Sequence, residues 1–477
     1  MKRYINFLCF GLAIMLGGIS TEALACTGIA LRAADGSRVV ARTVEWSKGA
    51  MHCGYVVVPR DYKQYSFLPG SSDVESSEPE TGLAFKAHYG YVGIYTEYEN
   101  FVVEGVNEVG LSAGLFFFPG FGEYPTYSKA LKNKTICDMQ LVSLVLSTCA
   151  TVDHVKSLVS KIQLCSLGTN VGTVHWRFTE PSGRMVVLEY KNGTAQFYEN
   201  SLGVLTNSPG FDFHLTNLRN YLNLSPGDAP ENYLGQVPPA ANCEASRSAV
   251  SYQAIPSSCH FERNTSPCHF ERNTSSCHSE RSPSSCHFER SPQGEVEKSA
   301  HRRGHNDNAF QAQSPVISSE VEKSAHQASK ASRRKHDGEA MQAGLLLTPL
   351  GGNSGMLGLP GDYTPPSRFV RAAFFSATAP VLPSGFETVT QAFHILNNFD
   401  IPVGVQHKQG TVPVGLPSAT QFTTATDLNA LKFYYRTAWN QNIRCIELQN
   451  IDFSRIKFRA TPLDNNTTQP VEVINIQ

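Results

Sequence analysis

The spacing of apolar and polar positions predicts β-strands in most of the chain, with a few segments that have helical spacing. The β-rich runs are bounded by turn residues; they are Cys26–Leu31, Arg38–Trp46, Phe101–Phe118 with a turn at 107–110, Thr173–Phe178, Met185–Tyr190, Ala195–Tyr198, and a final hairpin of Leu431–Trp439 with Ile443–Leu448. Helical spacing covers Thr135–Ile162, in two pieces around Thr151, then Ser367–Ala377 and Phe386–Asn398. Runs of strands with grouped helices predict an α+β layered domain rather than a parallel βαβ sheet.

The first two β-rich runs are separated by Ala34-Asp35-Gly36-Ser37, and Asp-Gly is a strong hairpin signal. A symmetric turn centred on Asp35-Gly36 places Glu45 directly opposite Cys26. The same alternation puts Arg42 on the other face of the ladder, because side chains along a strand point to opposite faces. Arg42 would then need a β-bulge or an edge position to share a site with Cys26.

Residues 1–25 have the pattern of a cleaved secretory signal peptide. Lys2 and Arg3 form a positive start, Ile5 to Gly18 are mainly apolar, and Ala23-Leu24-Ala25 matches the small-x-small cleavage site. The apolar run is short for a membrane span. We therefore expect an exported protein, periplasmic or secreted, whose first residue is Cys26.

A terminal Cys26 would carry a nucleophile and a base on one residue. An unperturbed α-amine has a pKa of about 7.7 to 8.0, and a free thiol has one of about 8.5. The amine can therefore take the proton from its own side chain, as in amino-terminal nucleophile hydrolases. Two alternatives remain at this point: a lipoprotein with an acylated Cys26, or an ordinary cysteine near a cleavage site. Ala23 stands where a lipoprotein signal prefers Leu.

Charge and composition give no indication of a nucleic-acid or membrane partner. The 477-residue chain has 40 basic and 41 acidic residues and a formal net charge of −1, which favours neither nucleic acid nor an anionic membrane. No apolar run of 18 residues follows the signal, so no membrane span is predicted. The wide cysteine spacing defines no disulfide framework. We expect buried thiols at six further cysteines: Cys53, Cys137, Cys149, Cys165, Cys243 and Cys445.

Residues 227–341 differ in character from the rest of the chain. Cys-His pairs begin at 259, 268, 277 and 286, and Glu-Val-Glu-Lys-Ser-Ala-His occurs at 295–301 and 320–326. Zinc sites use other spacings on a folded scaffold. The many Ser, Arg and Glu residues instead predict a disordered, low-complexity insertion, of the kind that a repetitive DNA element read in frame would encode. It divides one domain into the parts 26–226 and 342–477.

Five short sequence motifs, which occur in the same order as in the family, show a resemblance to the choloylglycine hydrolase family, which includes bile salt hydrolases and penicillin V acylases. They are Cys-Thr-Gly-Ile-Ala-Leu at 26–31, Ala-Arg-Thr-Val-Glu-Trp at 41–46, Val-Glu-Gly-Val-Asn-Glu-Val-Gly-Leu-Ser-Ala-Gly-Leu at 103–115, Gly-Val-Leu-Thr-Asn-Ser-Pro at 203–209, and Gly-Leu-Pro-Gly-Asp-Tyr-Thr-Pro-Pro-Ser-Arg-Phe at 358–369. The resemblance implies a four-layer αββα amino-terminal nucleophile fold that hydrolyses linear amide bonds.

The resemblance also implies catalytic roles for five residues. Cys26 would be the nucleophile, with its own amine as the base, and Arg42 would favour the thiolate by its charge. Glu45 stands where the family usually has Asp and would orient the amine. Asn207 would help to hold the tetrahedral oxyanion. Arg368 would be the second active-site arginine.

Phe116 occupies a position where one branch of the family has an asparagine, so a backbone N–H is expected as the second oxyanion donor. We expect the aromatic residues Phe116, Phe117 and Phe118 to contact an apolar acyl group, although core strand positions are an equal alternative. The resemblance implies no metal or organic cofactor, a small-molecule amide substrate and a homo-oligomer. Conjugated bile salts are the first expectation, penicillin V or N-acyl homoserine lactones the alternative, and a non-catalytic exported lipoprotein a different class of function.

Overall fold

The computed structural model describes residues 24–69, 81–166, 172–234, 345–347, 349, 351–408 and 410–476. Most of the predicted signal segment 1–25 and of the predicted insertion 227–341, including the Cys-His pairs, lies outside these residues. The contacts define two units. The larger contains the residues up to Glu231 and those after 347. The smaller lies within 232–347, and the backbone of two short strands is described in it.

The described residues contain 19 strands and five α-helices. In chain order the strands are β1 Leu24–Arg32, β2 Arg38–Trp46, β3 Cys53–Val58, β4 Lys63–Tyr65, β5 Ala84–Lys86, β6 Tyr91–Thr96, β7 Val102–Asn107, β8 Ser112–Phe117, β9 Thr135–Cys137, β10 Gln163–Cys165, β11 Val174–Thr179, β12 Met185–Lys191, β13 Thr194–Glu199, β14 Asn232–Leu234, β15 Leu345–Leu347, β16 Thr420–Asp427, β17 Lys432–Thr437, β18 Asn440–Glu447 and β19 Arg459–Pro462. The helices are α1 Leu141–Thr148, α2 Val152–Val159, α3 Phe211–Leu218, α4 Pro365–Thr378 and α5 Gly385–Leu396.

The larger unit is a four-layer αββα sandwich, which confirms the predicted α+β fold. One sheet has the strand order β1-β2-β16-β17-β18, and the other has the order β13-β12-β11-β8-β7-β6-β3-β19. Helices α4 and α5 pack on the first sheet, while α1 and α2 pack on the second. The two sheets share one apolar core, and burial of that core provides the main stabilisation.

Local sequence signals explain where several helices begin. The Thr151 hydroxyl accepts a hydrogen bond from the His154 N–H and starts α2, so the predicted break at Thr151 is confirmed. Ser384 and Glu387 form a reciprocal capping box at the start of α5. Pro365 occupies the first turn of α4, where the lack of an N–H is tolerated.

The register predicted for the first hairpin is wrong by one residue. Val44, not Glu45, lies opposite Cys26, and Glu45 lies opposite Ala25. The loop has an odd number of residues: Ala33 and Ser37 close it, and Gly36 adopts a left-handed φ of 94°. A three-residue loop with a left-handed last position is the next most common hairpin connection after the two-residue turn.

Two further expectations need correction. The first residues of the expected helical segment 135–162 form β9, which pairs in parallel with β10, and the helices α1 and α2 follow. The hairpin β17–β18 exists, but it is not the final element, because β19 follows and joins the edge of the other sheet through β3. None of the helices in the described part of the chain is long and apolar enough to cross a membrane.

The corrected register determines what each face of β1 and β2 contacts. Cys26 and Arg42 share the face toward the second sheet, with Gly28 directly opposite Arg42 and packed against Phe116. Glu45 lies on the other face, toward α4. Arg42 therefore reaches the Cys26 side of the sheet on a regular ladder, and the β-bulge that the sequence pattern required is not needed.

Candidate active site

The structure brings together all five residues predicted to act in catalysis. Cys26 lies on β1, Arg42 and Glu45 on β2, Asn207 in the segment before α3, and Arg368 in the first turns of α4. All five are buried: Cys26 is 4% exposed, and the others are 2% exposed or less. In such an environment charges interact strongly, because little water screens them.

The backbone of Cys26 is held on both sides of its Cα. Its N–H donates to Asn207 Oδ1 at 2.7 Å, and its carbonyl accepts from Arg368 Nη1. The backbone N–H of Phe117 donates toward the thiol sulfur. Cys26 is therefore fixed by groups from three separate parts of the chain before any substrate is present.

Asn207 connects these parts through both ends of its side-chain amide. Its Oδ1 also accepts from Arg368 Nη2 at 2.7 Å, and its Nδ2 donates to the Phe117 carbonyl at 2.8 Å. A primary amide has two N–H donors. One of the Nδ2 hydrogens is used by Phe117, so the other can meet a developing oxyanion.

Arg368 binds β1 rather than the sulfur. Besides Cys26 and Asn207, its guanidinium donates to Thr27 Oγ1 at 2.8 Å and to the Tyr363 carbonyl at 2.9 Å. Burial lowers the pKa of Arg368, and the nearby Glu45 opposes that shift. A guanidinium presents five donors in a rigid fork, so Arg368 fixes the cysteine strand, the asparagine loop and its own helix in one geometry.

Arg42 lies between the sheets, on the thiol side. Its guanidinium carbon is 3.9 Å from the centre of the Phe116 ring, and Nη1 donates to the carbonyls of Leu115 and Val103. Nη1 is also 3.5 Å from Glu104 Oε2. The aromatic ring and the carbonyl groups hold the cation in place without neutralising it.

Glu45 is a buried carboxylate whose negative charge is only weakly balanced by its neighbours. The Thr43 hydroxyl and Arg368 favour its charged form, but among the described residues neither carboxylate oxygen makes a hydrogen bond of normal geometry. Burial outweighs both partners and raises the pKa of Glu45 from 4.5 to about 7. Glu45 lies opposite Ala25, so this carboxylate faces the residue that precedes the Cys26 nitrogen.

Burial also decides the protonation of Cys26. It raises the pKa of the thiol, and Glu45 adds to this, while Arg42 and Arg368 act in the opposite direction. The expectation that Arg42 favours the thiolate holds for its own contribution, but desolvation is larger in this chain, where Cys26 is still joined to Ala25. A freed α-ammonium would add a third cation next to the sulfur and favour the thiolate further.

The three aromatic residues expected to contact substrate are placed differently from one another. Phe116 and Phe118 are fully buried. Phe116 supports Arg42, and Phe118 stacks on His175 with ring centres 4.4 Å apart. Phe117 is partly exposed and lies beside Asn207 through its carbonyl. Contact of these residues with an acyl group stays a prediction.

Two buried histidines that sequence reasoning missed hold the Asn207 loop. His214 Nε2 is 2.8 Å from the Asn207 carbonyl, and His175 Nε2 is 2.9 Å from the Thr206 carbonyl. The other nitrogen of His175 contacts Glu189 at 3.1 Å. Burial lowers the pKa of His214 to about 4, so it is neutral at pH 7. The only sequence signal for these roles was a histidine inside an apolar segment.

The described cysteines are unpaired, and they differ in exposure. Cys137, Cys149 and Cys165 are buried, as expected, but Cys53 is partly exposed and Cys445 is exposed. Burial raises the pKa of the Cys149 and Cys165 thiols to about 11 and about 12. Cys243 lies outside the described residues. Of the described cysteines, Cys26 is thus the one surrounded by arginines.

Comparison with known proteins identifies the family. The sequence model described as linear amide C-N hydrolases, choloylglycine hydrolase family, matches residues 26–249 and 321–470. A bile salt hydrolase/transferase of Clostridium perfringens is 24% identical over 444 residues, covering 91% of this chain and 95% of the relative. A penicillin V acylase of Pectobacterium atrosepticum is 27% identical over 185 residues, covering 37% of this chain and 47% of the relative.

Solved structures share the fold. A variant of conjugated bile acid hydrolase from Clostridium perfringens superposes with a TM-score of 0.60 at 21% identity, covering 94% of this chain and 100% of that one. Penicillin V acylase from Agrobacterium tumefaciens gives 0.55 at 16% identity, with 92% of each chain covered. The fold and the family match agree with the resemblance seen in the sequence. The chain therefore belongs to the choloylglycine hydrolase family of linear amide C–N hydrolases.

Proposed function

We propose that the protein hydrolyses conjugated bile salts, using Cys26 as an amino-terminal nucleophile after residues 1–25 are removed in export to the periplasm or the medium. The observation that carries the proposal is the position of the Cys26 nitrogen, 2.7 Å from Asn207 Oδ1. In the proposed mature protein this atom is the α-amine. Its lone pair becomes available beside the thiol, while Asn207 accepts one of its hydrogens.

The reaction begins with attack of the Cys26 sulfur on the carbonyl carbon of the amide, while the α-amine takes the thiol proton. The tetrahedral oxyanion accepts hydrogen bonds from the second Nδ2 hydrogen of Asn207 and from the Phe117 N–H. Preorganised donors of this kind are among the largest contributions to catalysis. Proton transfer from the α-ammonium to the leaving nitrogen then breaks the C–N bond and leaves a thioester.

Water completes the cycle. The α-amine takes a proton from a water molecule, whose oxygen attacks the thioester carbonyl, and the acid product leaves as the Cys26 sulfur regains a proton. Thiol and amine supply the nucleophile and the base, so the proposed steps require neither a metal ion nor an organic cofactor. Arg42 stabilises negative charge on the sulfur, Arg368 holds the strand, and Glu45 orients the ammonium.

The choice of bile salts over other amides rests on the relatives. The bile salt hydrolase/transferase aligns over nearly its whole length, whereas the penicillin V acylase aligns over about half of its own. The second candidate is therefore penicillin V acylase activity, favoured by the full-length structural likeness to the Agrobacterium enzyme. N-acyl homoserine lactones present the same chemistry, an apolar acyl group on an amide.

The decisive experiment combines amino-terminal sequencing and intact mass of the exported protein with release of amine from glycocholate, taurocholate and penicillin V. We expect a free Cys26, turnover of the bile salts above the other substrate, and loss of turnover in Cys26→Ser. Cys445→Ser, which changes an exposed thiol, is the matched control and should keep full activity.

The outcomes separate the candidates. Faster turnover of penicillin V would replace the substrate but keep the mechanism. A lipidated Cys26 would block the base and identify an exported binding lipoprotein instead. An unprocessed chain with full activity would overturn the amino-terminal mechanism.

A further inference from the structure

A second buried arginine lies behind Arg42, joined to it by one carboxylate. Glu104 on β7 pairs with Arg177 on β11 through Oε1, and its other oxygen is 3.5 Å from Arg42 Nη1. Arg177 Nη2 also donates to Ser112 Oγ at 3.1 Å. Arg42, Glu104 and Arg177 are each 1% exposed. We name these three residues the Arg42–Glu104–Arg177 cluster.

The space for this cluster is provided by a glycine. A Cβ at Gly114, on β8 between β7 and β11, would collide with Glu104 Oε2 and would lie 3.4 Å from Arg177 Nη2. Burying three charges carries a large desolvation cost unless the geometry compensates for it. In the described structure, Arg177 Nε and Nη1 have no hydrogen-bond partner, although buried guanidinium donors are normally satisfied. Folding alone would be served better by an apolar residue at this position.

The cluster has two positive charges and one negative charge. A lone Arg42–Glu104 pair would be neutral, and the carboxylate would cancel much of the arginine field at Cys26. Arg177 instead makes the shorter contact with Glu104, so the negative charge of the carboxylate is shared between two arginines. The cluster then keeps a net positive charge, and part of the Arg42 charge stays uncancelled on the side that faces the thiol.

We propose that Arg177 is a positioning residue: by engaging Glu104, it preserves the positive field of Arg42 at the Cys26 sulfur. The inference rests on the proposed function, in which Cys26 is the nucleophile. The other charged groups that act on Cys26 are Glu45 on β2 and Arg368 on α4. The cluster lies on the opposite side of β1 from both, so its effect can be varied separately.

The test measures how alkylation of Cys26 by iodoacetamide depends on pH, in the processed protein and its variants, with the modified amino-terminal peptide quantified by mass spectrometry. In Arg177→Met, Glu104 pairs with Arg42 alone, so the apparent thiol pKa should rise by about one unit. Below that pKa, alkylation should then be about tenfold slower. Glu104→Gln removes the negative charge, so the pKa should fall. The thiol pKa of the double variant should return toward the wild-type value.

The opposite signs distinguish this role from a merely structural one. Shifts in the same direction for both single variants, or no shift in either, would overturn the inference. Cys445 in the same samples is the internal control, and its alkylation should not change. If Arg177→Met does not fold, Glu104→Gln and the double variant decide the question. Adding Arg177→Met to Glu104→Gln must then raise the Cys26 thiol pKa again.

The alkylation assay also separates this inference from the proposed function. Alkylation is read without turnover, so an inactive protein whose Cys26 follows the predicted shifts would contradict the bile salt proposal and support the cluster. A Cys26 that carries a lipid and cannot be alkylated would overturn both. Turnover that depends on Cys26, with no pKa shift in any variant, would overturn the cluster alone.

Discussion

The Cys26 nitrogen and the Asn207 side-chain oxygen lie 2.7 Å apart, although 181 positions separate the two residues in the sequence. The same oxygen accepts from Arg368. Two donors thus converge on one acceptor, which fixes the orientation of the Asn207 amide and directs its Nδ2 toward the Phe117 carbonyl. The geometry assigns acceptor and donor roles to opposite ends of one side chain, and these roles can be tested separately.

Asn207→Asp separates the two roles. A carboxylate still accepts from Cys26 and Arg368, but it has no N–H for an oxyanion. We expect kcat for amide hydrolysis to fall about 10²–10³-fold, the usual cost of losing one oxyanion donor, with little change in KM. Asn220→Asp, at an exposed position after α3, is the control. An unchanged kcat would remove Asn207 from the oxyanion site.

Glu45 gives a prediction on pH. The pKa of its carboxyl group is about 7 in the chain that retains Ala25, and a freed ammonium beside it would favour the carboxylate and lower that pKa. Activity that needs the charged form is then lost as the pH falls through this lower value. Glu45→Gln should reduce kcat/KM about 100-fold, a typical effect of misplacing a catalytic group. It should also remove this loss of activity at low pH, the acid limb of the pH profile.

Glu45→Asp is the matched comparison for the charge. It keeps the carboxylate, shortens the side chain by one methylene and restores the residue that the family pattern usually has. We expect this variant to retain the acid limb and most of the activity. If Glu45→Gln is as active as Glu45→Asp across the pH range, the carboxylate does not orient the amine.

The sequence predicted the layers of the fold better than it predicted the detailed geometry of the first hairpin. The β-rich composition of Arg38–Trp46 marks a strand, but it does not say whether the loop before it has two residues or three. That one residue moves every side chain of the strand to the other face. The prediction therefore placed Arg42 away from Cys26, and the left-handed φ of Gly36 explains the correction.

The roles of the five site residues were predicted from short sequence motifs, whereas no role was predicted for the groups that support them. Glu104 and Arg177 each interrupt an apolar strand, and this is a visible signal of a buried charge. Their partnership was not visible, because it depends on the strand order β11-β8-β7, which brings together residues 73 positions apart. His214 was missed for a different reason: it lies seven positions from Asn207, but its partner is a backbone carbonyl, which no residue type indicates.

The lowered pKa of His214 predicts how the stability of the protein depends on pH. Its pKa is about 4 in the folded protein and 6.5 by reference, so the unfolded chain binds the proton first. The stabilisation is present above pH 6.5 and is lost as the pH falls through about 4, with a total of about 3 kcal/mol. We expect the melting temperature of His214→Gln, which keeps a donor for Asn207, to change less over this range than that of the wild type.

The control for the acid experiment is His154→Gln, which replaces an exposed histidine on α2. This variant should follow the wild-type curve. Melting temperatures are measured from pH 7.5 to pH 4 in one buffer series. If the curves of His214→Gln and the wild type are parallel, His214 is not held neutral by burial, and its hydrogen bond to Asn207 must be explained by the charged form.

The ends of the interrupting segment give the last prediction. Leu234 and Leu345 are direct partners in an antiparallel backbone ladder, so a two-residue Asn-Gly turn can replace residues 235–344 between them. The entropic cost of loop closure grows only logarithmically with length, and every contact described above for the five site residues is made by residues that the shortened chain keeps. We expect kcat/KM within about twofold of the full chain, a threshold of about 0.4 kcal/mol, and a melting temperature that is equal or higher.

A Gly-Ser segment of the original length is the matched control. If the Asn-Gly protein is folded but has a changed KM and the Gly-Ser protein shares that change, the repeats themselves act on substrate binding; a change confined to the Asn-Gly protein assigns the effect to loop length.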